Sequence, residues 1–269
     1  MWFYNLPTGV AALLVAAIAF GAVAVGARIG HGRRELSESL REPFSVLQGA
    51  LLGIVALVLA FGLSIALDRY ESRRTAVVDD ANAIGTTYLR AQTLREPMRT
   101  RSLRDLVAYT DAAIDLTNSV PGSDEAHTAV AEGQEIQRRL WGQAGRALEV
   151  DPVASAPRLY VDSLNEMIDQ QTVRVAGLSN HLPGAVKFVE LVGSAIALGL
   201  LAAYLAVVGR SILPALLAAG LVASLLFVTA DLDRPHRGPI QVPDTALANQ
   251  RDSEEEPPAA RGPPPKRPD

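Results

Sequence analysis

The sequence predicts an all-α membrane protein, with four transmembrane helices and a contiguous antiparallel four-helix bundle between the second and the third. Two observations carry this reading. Four apolar stretches, residues 8–27, 46–67, 187–208 and 211–230, each approach the ~20 residues that cross a hydrocarbon core of about 30 Å, and none has a charge at its centre. The long polar segment between the second and third shows apolar residues at helical spacing and no strand-like alternation. The chain therefore divides into 1–67 (spans one and two with a short basic loop), 68–184 (the extramembrane bundle), 185–231 (spans three and four) and 232–269, a polar, proline-rich, largely disordered tail.

The first span starts without a charged n-region and is longer than a signal-peptide core, so it reads as a retained helix behind an interfacial anchor of Trp2, Phe3 and Tyr4. Its loop to span two is basic (Arg28, His31, Arg33, Arg34, Arg41), and Pro43 suits a first helical turn. Span two carries small residues at four-residue spacing, Gly49 and Gly53 on one row, Ala56, Ala60 and Ser64 on another, with Phe61 its only aromatic. Such rows let helices approach closely in lipid. Gly53, Ala56, Ala60, Phe61 and Ser64 are the candidates either for helix packing or for lining a pathway.

No stop signal follows span two, so the helix continues as a rod to about Leu94 with Val77, Val78, Ala81, Ile84, Tyr88 and Leu89 on an apolar face. A helix over 96–118 follows, then a turn at Val120-Pro121-Gly122-Ser123 in which Ser123 is an N-cap. The next helix covers 124–148 with Ile136, Leu140 and Trp141 inward, and the last opens near Asp151-Pro152. Short turns between such helices favour an antiparallel bundle. Gly209-Arg210-Ser211 is a tight hairpin, and Ala215, Ala219 and Ala223 form a close-packing row in span four.

Function classes narrow by inventory. There is no cysteine, so disulfides and thiolate chemistry are excluded. No HExxH, GxSxG, Walker A or dinucleotide fingerprint occurs, and four scattered histidines make no triad, so the chain is not expected to be an enzyme. A net charge of −4 implies no attraction to nucleic acid. Uncharged spans argue against an ion-coupled carrier; Lys187 and Glu190, at the edge of span three, read as an interfacial pair.

Two polar constellations remain. Asp79 and Asn82 on the first bundle helix, with Asn165, Glu166 and Asp169 on the last, form either a buried polar network paired with Arg73, Arg90 or Arg174, or an oxygen-ligand site for a divalent cation. Asp231, Asp233 and Arg234 lie at the end of span four, where the helix dipole disfavours anions. They read as interface charges paired with Arg234 and Arg237, with a divalent cation as the alternative. No other cofactor is expected.

Three segments together resemble a known family: Leu67-Asp68-Arg69-Tyr70-Glu71-Ser72-Arg73-Arg74 with the run Asp79 to Ala91, Tyr160 to Asp169, and Asp231-Leu232-Asp233-Arg234-Pro235-His236-Arg237-Gly238. They are similar to the bestrophin-like domain family of bacterial membrane proteins, a domain of unknown function distantly similar to the bestrophin anion channels. The resemblance covers about residues 45–245. It implies a homo-oligomer in the lipid bilayer that passes an inorganic anion, since true bestrophins are pentameric anion channels with a calcium site in some members. Two departures stand out: the aromatic-rich pore neck is absent, and the acidic calcium clasp is reduced to Asp231 and Asp233. The competing reading is a membrane-anchored helical sensory or scaffolding module without transport activity. Basic residues flank the spans on both sides almost equally, and the resemblance alone tilts the bundle toward the cytoplasmic side.

Overall fold

A computed structural model describes residues 7–32, 38–234 and 238–260, and the described residues form eight helices and no strand. These are α1 (Thr8–His31), α2 (Glu38–Ala91), α3 (Met98–Asn118), α4 (Asp124–Val150), α5 (Ser155–Ser179), α6 (Gly184–Val207), α7 (Leu213–Leu232) and α8 (Thr245–Glu255). Four helices are long and apolar enough to cross a membrane. The chain divides into two units, 1–70 with 181–240, and 71–180 with 241–269. The aromatic anchor at Trp2, Phe3 and Tyr4, the loop arginines Arg33 and Arg34, the side chain of Arg41, and His236 and Arg237 lie outside the described residues.

In the first unit α1 packs on α6 and α7, and α6 on α7. The seam is built from small side chains. Ala11, Val15, Ala19, Val23, Gly26 and Gly30 recur every three or four residues along one face of α1 and are all buried. At Gly26 the backbones nearly touch, and a Cβ there would lie 1.9 Å from the Gly199 carbonyl oxygen. A Cβ on Gly30 would lie 2.3 Å from the carbonyl of Ala203. In hydrocarbon, where apolar burial gives little net drive, such backbone proximity lets dispersion hold helices together. Ala19, Val23 and Ala27 close a core with Leu198, Ala202, Ala215 and Ala219, so the span-four row faces inward as its spacing predicts. Gly209, at φ +74°, makes the α6–α7 turn that a Cβ would strain.

Helix α2 begins earlier than Pro43 suggests, so this proline lies inside its second turn. Phe44 stacks on Tyr204 of α6 with ring centroids 5.9 Å apart.

In the second unit the helix positions follow the periodicity closely, while three apolar assignments do not hold. Leu106, Leu116, Ile136, Leu140, Leu164 and Met167 are core residues, but Val78, Leu89 and Trp141 are outward-facing and about half exposed. Ser123 caps α4 by accepting from the Ala126 backbone N–H at 3.2 Å. α3 packs on α4, α4 on α5, and α3 also on α8. That last contact corrects the expected disorder of the tail. Leu247 is wholly buried and Tyr88 donates to the Glu254 carbonyl at 3.0 Å, so a segment too polar for a core of its own completes one. Residues 261–269 of the predicted tail lie outside the described residues.

The buried ion pair of this unit is Arg174 with Asp80, at 2.6 Å and with both side chains excluded from water. Arg174 also donates to the Ala113 carbonyl and to Thr117 of α3, so one guanidinium ties three helices. Removing one member of such a pair strands the other charge. Asp80→Ala is expected to lower the unfolding free energy of the second unit by about 3–5 kcal/mol, and the exposed Asp79→Ala to change it by less than about 0.5 kcal/mol; thermal melts compare them. Gly26→Val is expected to cost toward the upper end of the about 1–3 kcal/mol of an overpacked core. Gly21→Ala, where nothing lies within 4 Å, is the control expected to melt with the parent.

Candidate functional site

Each residue of an α-helix turns about 100° from the last, so α2 presents two distinct faces. One is packed in the first unit, with Leu59, Gly62 and Ala66 buried and Val55 against the Val15–Leu59–Leu226 cluster. The other carries Gly53, Ala56, Ala60, Phe61 and Ser64, and all five are exposed. Nothing lies within 4 Å of a Cβ built at Gly49 or Gly53. Among the described residues the small-residue row therefore packs against no helix, in contrast to the rows of α1 and α7. No ionisable side chain falls between Glu42 and Asp68, so this face is polar only at Ser64 and in its backbone.

A polar cluster sits at the edge of the same unit, and it includes partners that the sequence did not suggest. Lys187 pairs with Asp233, at 2.5 Å to Oδ2, rather than with Glu190. The other Asp233 oxygen accepts the Leu182 backbone N–H at 2.6 Å, and His181 Nδ1 lies 3.1 Å from the Asp233 carbonyl. Asp231 accepts the Ile240 backbone N–H at 3.1 Å, and its carboxyl occupies the space a side chain on Gly238 would need. The aspartates at the end of α7 thus bind the chain segments that enter and leave the membrane helices. Their misfit with the helix dipole is relieved by backbone donors and an ammonium. Glu190 is buried against α2, its carboxyl lying where a Cβ of Gly62 would be. Only the absence of a side chain at Gly62 makes that seat, a signal the sequence carried but spacing rules did not read.

This donor set does not fit a calcium ion. Asp233 already has a lysine ammonium on one oxygen and an N–H on the other, and among the described residues no three His, Asp or Glu side chains come together as metal ligands.

In the second unit, Asp79, Asn82, Asn165, Glu166 and Asp169 are all exposed. The buried network expected of them is corrected: one residue further along α2 is 100° around the helix, and Asp80 takes the inward place. Asp79, Asn82 and Glu166 do come together, with Thr86, Arg90, Asp162, Ser163 and Gln170, along an open polar cleft of about 330 Å³ between α2 and α5. Glu166 accepts from Gln170 at 2.8 Å, and Arg90 is engaged with the Leu159 carbonyl at 2.7 Å. Asn165 donates to Asp169 at 3.3 Å, one turn along α5 and outside the cleft.

Comparison with known proteins matches the bestrophin-like domain to residues 12–247. No curated protein sequence matches the chain. Among solved structures, a bacterial bestrophin homologue from Klebsiella pneumoniae phased with zinc is 16% identical, with a TM-score of 0.65 over 90% of this chain and 95% of its own. A point variant of a bestrophin homologue from the same organism is 15% identical, with a TM-score of 0.68 over 89% and 97%. At these identities the likeness is one of fold.

Lys187→Ala leaves the Asp233 carboxylate buried without its ammonium, and a loss of about 3 kcal/mol is expected in nanodisc-held protein, near the lower end for broken buried pairs because Lys187 is partly exposed. Unfolding followed by tryptophan fluorescence checks it.

Proposed function

The chain belongs to the bestrophin-like domain family, and from that premise we propose that it is an oligomeric membrane channel passing inorganic anions passively. The observation that carries this reading is the open face of α2. A membrane helix with a row of small residues facing away from its own chain is suited to close packing on another subunit or to lining a water-filled path. Gly53, Ala56, Ala60 and Ser64 line the path, and Phe61, the only aromatic between residues 46 and 67, is bulky enough to narrow it. With no charged side chain on that face, permeation is controlled by width and wetting rather than by a binding step. Arg28, in the last turn of α1, gathers anions at one mouth by its field. The extramembrane helices lie on the cytoplasmic side in this reading.

Two measurements test it. Native mass spectrometry of nanodisc-held protein is expected to show a closed ring of subunits, five by analogy with true bestrophins. Chloride efflux from proteoliposomes should then fall at least tenfold in Ala60→Leu and rise in Phe61→Ala. A monomer or dimer without flux overturns the channel and leaves a scaffold or sensory module.

A further inference from the structure

Helix α8 is held on the second unit by contacts that converge on one carboxyl group. Leu247 is fully buried, and Asp244 accepts from Asn118 at 3.0 Å. Gln250 Oε1 sits in the notch left by Gly85, 2.5 Å from where a Cβ would be. Glu254 is only 5% exposed. Its Oε1 lies 2.9 Å from Thr110 Oγ1 and 3.1 Å from Gln250 Nε2, while Oε2 is buried with no hydrogen-bond partner.

Both hydrogen bonds to the carboxyl, from the Thr110 hydroxyl and the Gln250 amide, reach Oε1, while Oε2 meets no donor in a site closed to water, which favours the neutral acid. Among the described residues no cation is paired with it. Arg251 is turned to Asp111 at 2.7 Å and Glu255 at 3.2 Å. The titratable or charged groups facing Glu254 among the described residues are Tyr88 from α2, Asp111 from α3 and Arg251 from α8 itself.

We propose that Glu254 is a proton-operated latch: neutral, it seats α8 on α2 and α3, and ionised, it releases the helix. Burial, the largest cause, pushes the carboxyl up to about 7, with Gln250, Thr110 and Arg251 pulling the other way. A released α8 returns the group to water and the usual range near 4.3. The docked form therefore binds the extra proton. Docking is strongest below about pH 4.3, weakens about tenfold per pH unit up to about 7, and levels off above it. The switch therefore operates on the acid side of neutrality, between about pH 4.3 and 7.

The test uses the full chain in nanodiscs. It has no native cysteine, so nitroxides at Asp252→Cys on α8 and Glu132→Cys on α4, both exposed positions, report one intrachain distance by pulsed electron resonance when the labelled chain is co-expressed with an excess of the cysteine-free parent, so that an oligomer carries at most one labelled subunit. A single short distance is expected at pH 5.5, with a longer, broader population growing toward pH 8. Glu254→Gln, which mimics the neutral form, is expected to keep the short distance at both. A wild-type distance unchanged across this range overturns the latch. So does a Glu254→Gln protein that releases as the wild type does, because another group would then be the switch.

Discussion

The membrane unit depends on the near-contact of two backbones. Gly26 and Gly199 bring α1 and α6 together until a carbonyl oxygen fills the place of a side chain, and Gly30 repeats the arrangement one turn on. In water, burying larger apolar side chains would hold a helix pair. In hydrocarbon that drive is largely absent, and closeness itself supplies the attraction. With α1 committed to α6 and α7, α2 attaches through Phe44, Val55, Leu59, Gly62 and Ala66, and its small-residue face is left open. The candidate pathway is thus a consequence of where the other helices find their partners.

Charge placement follows the same economy. The two aspartates at the edge of this unit are satisfied within the chain, Asp233 by Lys187 and the Leu182 N–H, and Asp231 by the Ile240 N–H. These contacts pin the segments leading into α6 and out of α7, so the acidic residues act as fasteners. The same occupancy makes the pair a poor calcium clasp.

The second unit solves a different problem, since its helices carry polar outer faces and larger apolar side chains are buried between them. Its core is conventional, with Leu106, Ile136, Leu140, Leu164 and Met167, yet its specificity rests on Arg174, which reaches Asp80, Ala113 and Thr117 together. A buried pair of this kind adds little net stability but is costly to break, which fixes the register of the helices that share it. Glu254 adds a second buried acid without a cation. This makes α8 the element of the unit whose attachment responds to protons.

The sequence by itself determined the all-α class, the four apolar spans, the Ser123 cap and most helix boundaries, because length, hydropathy and capping are local properties. It also carried the motifs that mark the family. Tertiary structure decided which way each residue faces. Asp79 and Asp80 are neighbours in sequence but 100° apart on α2, so proximity to an apolar row could not say which one is buried. Lys187 chose Asp233 over Glu190, and Glu190 found Gly62, because those partners are distant in the chain and adjacent only in the fold. The polar helix α8 looked unable to fold because its burial is supplied by α2 and α3. Such contacts depend on surfaces that exist only after the other helices have packed, and no local pattern encodes them.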